Sequence, residues 1–224
     1  MGNVIPVKPI YVGDTVVKLG EFQSGDTISK VYCPQEVQRS IILLGSTAEV
    51  PLSSGGAVDT VTMATNGHII TGIKFAAGDS DLYAQWRTRL PYNVKISSGF
   101  KYKVGFLLKT ASAASTNVIF GLQALIVGSG GAIDTALGTA VEVTTDVSLI
   151  GGNIMLISAE SGVLTPALAP SNLTVAGGEE IIFRIYRKGT DTSAADVLLT
   201  DVYLTYTTDK IGRASCRERV YGTV

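Results

Sequence analysis

Histidine occurs once in these 224 residues (His68), tryptophan once (Trp86) and cysteine twice (Cys33 and Cys216). A single imidazole excludes a His-rich metal centre and leaves histidine acid–base chemistry with one candidate. Charged residues make up only 17% of the chain, and Lys plus Arg (18) nearly cancel Asp plus Glu (19). The clustered basic footprint of a nucleic-acid binder is missing, so no nucleic-acid partner is expected. The longest purely aliphatic run, Ile41-Ile42-Leu43-Leu44, falls far short of the roughly 20 residues that a membrane helix needs. Met1-Gly2-Asn3-Val4-Ile5-Pro6 has neither the basic start nor the apolar stretch of a signal peptide, and Pro6 stands where a myristoylation motif wants Ser or Thr. Segments with 3.6-residue amphipathic periodicity are also lacking. Helix is therefore expected only as short turns around 34–39 or 132–137.

Ile211-Gly212-Arg213-Ala214-Ser215-Cys216-Arg217-Glu218-Arg219-Val220 looks like a translated sequencing adapter, because ATC GGA AGA GCG TCG TGT AGG GAA AGA GTG encodes it codon for codon. Residues 211–224 are accordingly read as a non-native tail and kept out of the fold. Setting them aside removes three Arg and one Glu, which leaves 15 basic against 18 acidic side chains and a net charge of −3. Cys33 then stands alone, so no internal disulfide is expected. An adapter joined to the frame also implies a reading frame cut short, with a natural chain that continues past Lys210.

What remains reads as strand almost throughout. In 101–109, Tyr102, Val104, Phe106 and Leu108 share one face and Lys101, Lys103 and Lys109 the other, the period-2 pattern of a half-buried antiparallel strand. Ile181, Phe183 and Ile185 alternate with Arg184, Tyr186 and Lys188 in the same way. Residues 197–207 are rich in Val, Leu, Thr and Tyr, which suit a pleated surface. The longer apolar stretch 116–127 reads as a central strand covered on both faces. Asn66-Gly67 predicts a hairpin with a type I′ turn, whose two central residues need positive φ. Gly78-Asp79-Ser80-Asp81, Ser97-Ser98-Gly99, Gly128-Ser129-Gly130-Gly131 and Gly189-Thr190-Asp191-Thr192 punctuate further runs. About ten strands between residues 41 and 208 argue for an all-β antiparallel two-sheet β-sandwich.

The first forty residues differ. They carry the near-repeat Val12-Gly13-Asp14-Thr15-Val16 and Ser24-Gly25-Asp26-Thr27-Ile28, each placing Gly-Asp-Thr before a β-branched residue as a hairpin does. They hold too few large apolar side chains for a core of their own. The expected organisation is a short extended N-terminal segment (1–40), a β-sandwich domain (41–210) and the tail (211–224).

Candidate chemistry is sparse. His68 follows the Asn66-Gly67 turn with only Thr65 and Thr71 as polar sequence neighbours, which fits an exposed hairpin residue better than a catalytic base. Cys33 precedes Pro34 in no thiol motif and reads as inert. Asp79, Asp81, Asp134, Asp191 and Asp196 could ligate calcium, yet none has EF-hand spacing and turn-forming Asp explains them as well. Paired carboxylates for glycoside hydrolysis have no positional signature here. The glycines at 128–131 lack the Gly-Lys-Ser/Thr and helix of a phosphate loop. Asn172-Leu173-Thr174 is a glycosylation sequon, meaningful only in a secreted eukaryotic protein. No motif calls for a cofactor, a metal or a catalytic residue. Aromatic rings either fill a sandwich core or stack on sugars. Trp86, Tyr83 and Tyr92, grouped with Tyr102 in and around 82–102, are the candidate ligand-binding residues, with core packing the stronger reading for Trp86.

One order of segments resembles a known class. Gly72-Ile73-Lys74-Phe75 is followed by Trp86-Arg87-Thr88-Arg89-Leu90-Pro91-Tyr92, the Lys-flanked strand at 101–109, Ser115-Thr116-Asn117-Val118-Ile119-Phe120 and Ala132-Ile133-Asp134. Leu173-Thr174-Val175-Ala176-Gly177-Gly178, Phe183-Arg184-Ile185-Tyr186-Arg187 and Ala195-Asp196-Val197-Leu198-Leu199 close the series. Over residues 67–209 this resembles the jelly-roll-like β-sandwich domains of tailed-bacteriophage structural proteins, of the tail-fibre or capsid-decorating fibre kind. The resemblance implies a non-enzymatic virion component, a homo-oligomer with a trimer favoured, attached to other virion proteins through residues 1–40 and able to adhere to host surface glycans. A carbohydrate-binding module and a jelly-roll hydrolase are the alternatives. Arg184 and Arg187 are expected to make cross-strand charge pairs with Asp196 and Asp201 on the next strand.

Overall fold

The computed structural model describes residues 10–12, 15–17, 37–78, 80–169 and 177–208. Cys33, Asp79, Asn172, the Gly-Asp-Thr repeat at 24–28 and the 211–220 match lie outside the described residues. Eleven strands from residue 37 onward form two sheets of a jelly-roll-like β-sandwich. They are β3 (Val37–Leu44), β4 (Ala57–Thr62), β5 (Ile69–Phe75), β6 (Leu82–Arg89), β7 (Phe100–Leu108), β8 (Asn117–Val127), β9 (Val141–Asp146), β10 (Met155–Ile157), β11 (Ala167–Leu168), β12 (Glu180–Arg187) and β13 (Val197–Thr208). Ahead of them, β1 (Ile10–Val12) and β2 (Thr15–Val17) pair antiparallel, with Val12 opposite Thr15, as the first Gly-Asp-Thr repeat predicts.

The six-stranded sheet runs β10-β7-β13-β5-β4, and β3 also pairs with β13. The five-stranded sheet runs β11-β8-β12-β6, with β9 also on β8. Among the described residues every strand pairing is antiparallel except β11 with β8. Both long strands serve two partners along one edge. β13 meets β5 over Val197–Leu199 and β3 over Asp201–Thr208. Its register shifts between Leu199 and Asp201, a bulge that moves the inward set from Val197 and Leu199 to Val202 and Leu204.

The core lies between the sheets and is built by alternation. Phe100, Tyr102, Val104, Phe106 and Leu108 of β7 point inward, opposite Val118, Phe120, Leu122 and Ala124 of β8 and Ile181, Phe183 and Ile185 of β12. Edge-on ring contacts join the layers, Phe106 to Phe120 at 5.1 Å and Phe100 to Phe183 at 5.5 Å between centroids. The Tyr102 hydroxyl donates to the Val141 and Phe120 carbonyls, and burial raises its pKa well above the ordinary phenol value. β8 is covered on its other face too, where Leu125 and Val127 pack with Ala169 and Ile182. The sandwich, the alternation in β7 and β12 and the two-sided burial of β8 agree with the sequence reading.

Three details differ from it. The β4–β5 hairpin exists, but its loop is longer than a type I′ turn. Met63 N–H donates to His68 O, Gly67 N–H donates to Met63 O, and of Asn66 and Gly67 only the glycine has positive φ (66°). Residues 132–137 form a bend and irregular chain, not a helical turn, and 37–39 belong to β3. Short 3-10 turns occur instead at Gly45–Thr47 and Ile96–Ser98. The expected pairs of Arg184 and Arg187 with Asp196 and Asp201 do not form, because β12 lies between β6 and β8 in one sheet while Asp196 precedes, and Asp201 lies on, β13 in the other. Arg187 pairs with Asp191 and Asp196 with Lys74.

Candidate functional site

The outward face of the five-stranded sheet gathers the polar and aromatic side chains that the core excludes. Strand register sets them in rows. Tyr83 of β6 stands opposite Tyr186 of β12, which stands opposite Gly121 of β8 and, beyond it, Glu142 of β9. The next row is Gln85, Arg184 and Gln123, followed by Arg87, Ile182 and Leu125, and then Arg89, Glu180 and Val127. Along β6 this leaves Tyr83, Gln85, Arg87 and Arg89 in line over about 20 Å at the rise of an extended strand.

Most of these groups hold one another. Arg184 donates through Nε (3.2 Å) and Nη2 (2.9 Å) to Gln123 Oε1, and Gln123 Nε2 donates to Gly138 O at 3.1 Å. The Arg184 guanidinium carbon sits 5.1 Å from the Tyr83 ring centroid, a cation–π contact, and Tyr83 meets Tyr186 at 5.7 Å. Tyr186 lies on Gly121, where any Cβ would run into its ring. Its hydroxyl donates to Glu142 Oε1 at 2.8 Å, and Lys188 Nζ donates to both oxygens of the same carboxylate at 2.9 and 2.8 Å. The Lys188 ammonium holds the Glu142 pKa below the ordinary carboxylate value, against a smaller opposing effect of burial. Burial and the Glu142 charge push the Tyr186 phenol up. Arg87 is shared between Glu49 (3.5 Å) and Glu180 (3.8 Å).

At one end of β6 the face opens into a pocket of about 600 Å³ lined by Arg89, Tyr92, Gly128, Ser129, Gly178 and Glu180 among others. A second depression of about 400 Å³ along Glu49, Arg87 and Thr88 shares Arg89 and Glu180 with it. Arg89 Nη1 donates to Gly178 O at 3.2 Å.

The three candidate ligand residues do not converge. Trp86 is buried, only 4% exposed, and its indole N–H donates to Leu44 O at 2.8 Å. Tyr83, three residues earlier on the same strand, faces the opposite side and is half-buried on the outward face. Tyr92 is 80% exposed at the rim of the larger pocket. Arg184, Gln123, Tyr186 and Glu142 escaped the sequence reading of the site. The outward parity of Arg184 and Tyr186 was visible in their alternation with Ile185, but which residues of β8 and β9 stand beside them was not.

His68 is exposed, and no side chain among the described residues bonds its imidazole. Asp81 accepts from Gly189 N–H, and Asp196 from Ala77 N–H. Gly131 N–H closes a turn onto Gly128 O, with no helix following. Among the described residues no three His, Cys, Asp or Glu side chains cluster as metal ligands, and no helix is long and apolar enough to cross a membrane.

No protein-family model matches this chain, and no curated protein matches it. Solved structures do. A xylan-binding module, CBM15, is 16% identical with a TM-score of 0.35, over 69% of this chain and 99% of its own. The CBM22-1–GH10 modules of Clostridium thermocellum xylanase 10B, in complex with xylohexaose, are 15% identical with a TM-score of 0.38, over 84% of this chain and 30% of theirs. A chain of infectious bursal disease virus, Gx strain, is 9% identical with a TM-score of 0.32, over 95% of this chain and 39% of its own. Likeness at this level is one of β-sandwich architecture alone.

Proposed function

We propose that this protein is a non-enzymatic structural component of a bacteriophage virion, of the tail-fibre or capsid-decorating kind. In this reading it assembles as a homo-oligomer, a trimer by preference, and attaches to other virion proteins through residues 1–40. It displays the β-sandwich outward, and the five-stranded face adheres to host glycans. The observation that carries the adhesive part is the contact of Tyr83 with the Arg184–Gln123 pair of the neighbouring row, an aromatic ring and fixed polar groups on a sheet face that no other strand among the described residues covers. Such a face offers an apolar plate for a sugar ring beside donors and acceptors for its hydroxyls. Exposed Ile42, Leu44, Ile157 and Tyr203 on the opposite sheet support assembly.

Glycan-array binding by the full chain tests the reading, with Tyr83→Ala expected to abolish saturable binding and mass measurement in solution expected to return a multiple of the 23.4 kDa protomer. A strict monomer that binds glycan would favour the second reading, a carbohydrate-binding module outside any virion. Hydrolysis lost on His68→Ala would replace both with an enzyme.

A further inference from the structure

We infer that the glycan taken by the five-stranded face is acidic, a uronate-bearing polysaccharide whose carboxylate docks on Arg184. The inference rests on the glycan reading above and adds the ligand's charge. Among the described residues the carboxylates Glu142, Glu49 and Glu180 of this face each have a cation beside them: Glu142 is bonded by Lys188 and Tyr186, and Glu49 and Glu180 share Arg87 at 3.5 and 3.8 Å, with Glu180 Oε1 making no hydrogen bond to a described residue. Two cations are not paired in this way. Arg184 and Arg89 make no ion pair with a described carboxylate, and among the described residues their guanidinium groups donate to the neutral oxygens of Gln123 and Gly178 respectively.

Arg184 is also set in one geometry. Gln123 Oε1 takes the edge formed by Nε and Nη2, and Gln123 is itself anchored on Gly138, while the Tyr83 ring lies 5.1 Å from the guanidinium carbon. The edge formed by Nη1 and Nη2 remains, and two parallel N–H groups there match the two oxygens of a carboxylate. A guanidinium fixed before the ligand arrives loses little rotamer freedom on binding. Arg89 lies two rows further along, roughly 14 Å from Arg184 at strand spacings, within reach of a second carboxylate on a repeating chain. It borders the pocket where Tyr92 stands exposed.

The test is titration calorimetry of the full chain against polygalacturonate, alginate and hyaluronan, each beside its carboxyl-reduced, neutral counterpart, and against polyphosphate. At least one acidic polymer is expected to bind about ten-fold or more tightly than its reduced form, with the difference lost in Arg184→Gln. A Lys101→Gln/Lys103→Gln variant on the other sheet is expected to bind as the parent does. Equal or tighter binding of the reduced polymers would overturn the acidic ligand and leave the glycan face standing. Equal binding of polyphosphate, or an equal loss in the lysine variant, would reduce the effect to bulk charge and overturn it as well. Binding of no polysaccharide, acidic or neutral, would remove the glycan reading itself.

Discussion

Arg187 and Asp191 form a buried ion pair, Nε to Oδ2 at 2.7 Å and Nη2 to Oδ1 at 2.9 Å, with each side chain 3% exposed. The remaining guanidinium hydrogens go to the Phe75, Ala195 and Ser193 carbonyls. One side chain from the five-stranded sheet thereby holds the end of β5 and the approach to β13 in the other. Removing the cation strands a buried carboxylate, which costs about 3–5 kcal/mol. Arg187→Met is expected to lose that much stability in urea unfolding followed by the fluorescence of Trp86, the chain's single tryptophan. Adding Asp191→Leu to it should restore part of the loss, since the stranded charge is then gone. A single substitution within experimental error of the parent would contradict the role of the pair.

Trp86 and Tyr83 should separate stability from binding. Trp86→Phe removes the indole bond to the Leu44 carbonyl, which keeps the Thr47 hydroxyl as a donor, and is expected to cost about 1 kcal/mol by calorimetry. Glycan affinity of the folded protein should not change. Tyr83→Ala should do the reverse: a small loss of stability and a large loss of affinity, because the ring lies on the outward face against Arg184. Affinity lost in Trp86→Phe at a temperature where that variant is fully folded would count against the outward face as the binding surface.

The contrast between these two residues marks how far the sequence could be read. Strand parity is local. Tyr102, Val104, Phe106 and Leu108 announce an inward face because Lys101 and Lys103 alternate with them, and the same parity separates Tyr83 from Trp86 once the register of β6 is known. Lateral neighbours are not local. Nothing in the chain says that Tyr186 lies beside Gly121 and Glu142 and not beside the next strand, so the expected Arg–Asp pairs between β12 and β13 fail. The bulge between Leu199 and Asp201 reverses parity within one continuous strand, which composition cannot reveal. At Asn66-Gly67 the glycine marks the hairpin correctly, while the spacing of hydrogen-bonded Met63 and His68 sets the loop type.

Acid should weaken the fold through two surface pairs. Lys188 lowers the Glu142 pKa, and Lys109 lowers that of Asp59, so each carboxylate is more acidic folded than unfolded. Each pair therefore contributes fully at neutral pH and down to the ordinary carboxylate range. The contribution fades as pH falls through the lowered folded value, below about pH 4. Both carboxylates are partly exposed, so each is worth about 0.5 kcal/mol or less. Glu142→Gln should lower the melting temperature slightly at neutral pH and flatten part of its decline toward about pH 3. An unchanged acid limb in that variant would show that other carboxylates govern it.

Self-association should depend on the outer face of the six-stranded sheet. Ile42 stands opposite Tyr203, and Leu44 opposite Asp201, which faces Gly105 and then Ile157. Ile42 and Ile157 are 57% and 69% exposed, so a charge at either site disturbs nothing the fold already buries. In an assembly that covers this patch, the same charge would be desolvated without a partner. Ile42→Glu is therefore expected to weaken association about ten-fold or more in light-scattering chromatography while leaving urea unfolding of the protomer unchanged. If the parent chain already runs as a monomer at every concentration tried, or if Ile42→Glu and Ile157→Glu both assemble as it does, copies of this protein do not meet through this sheet.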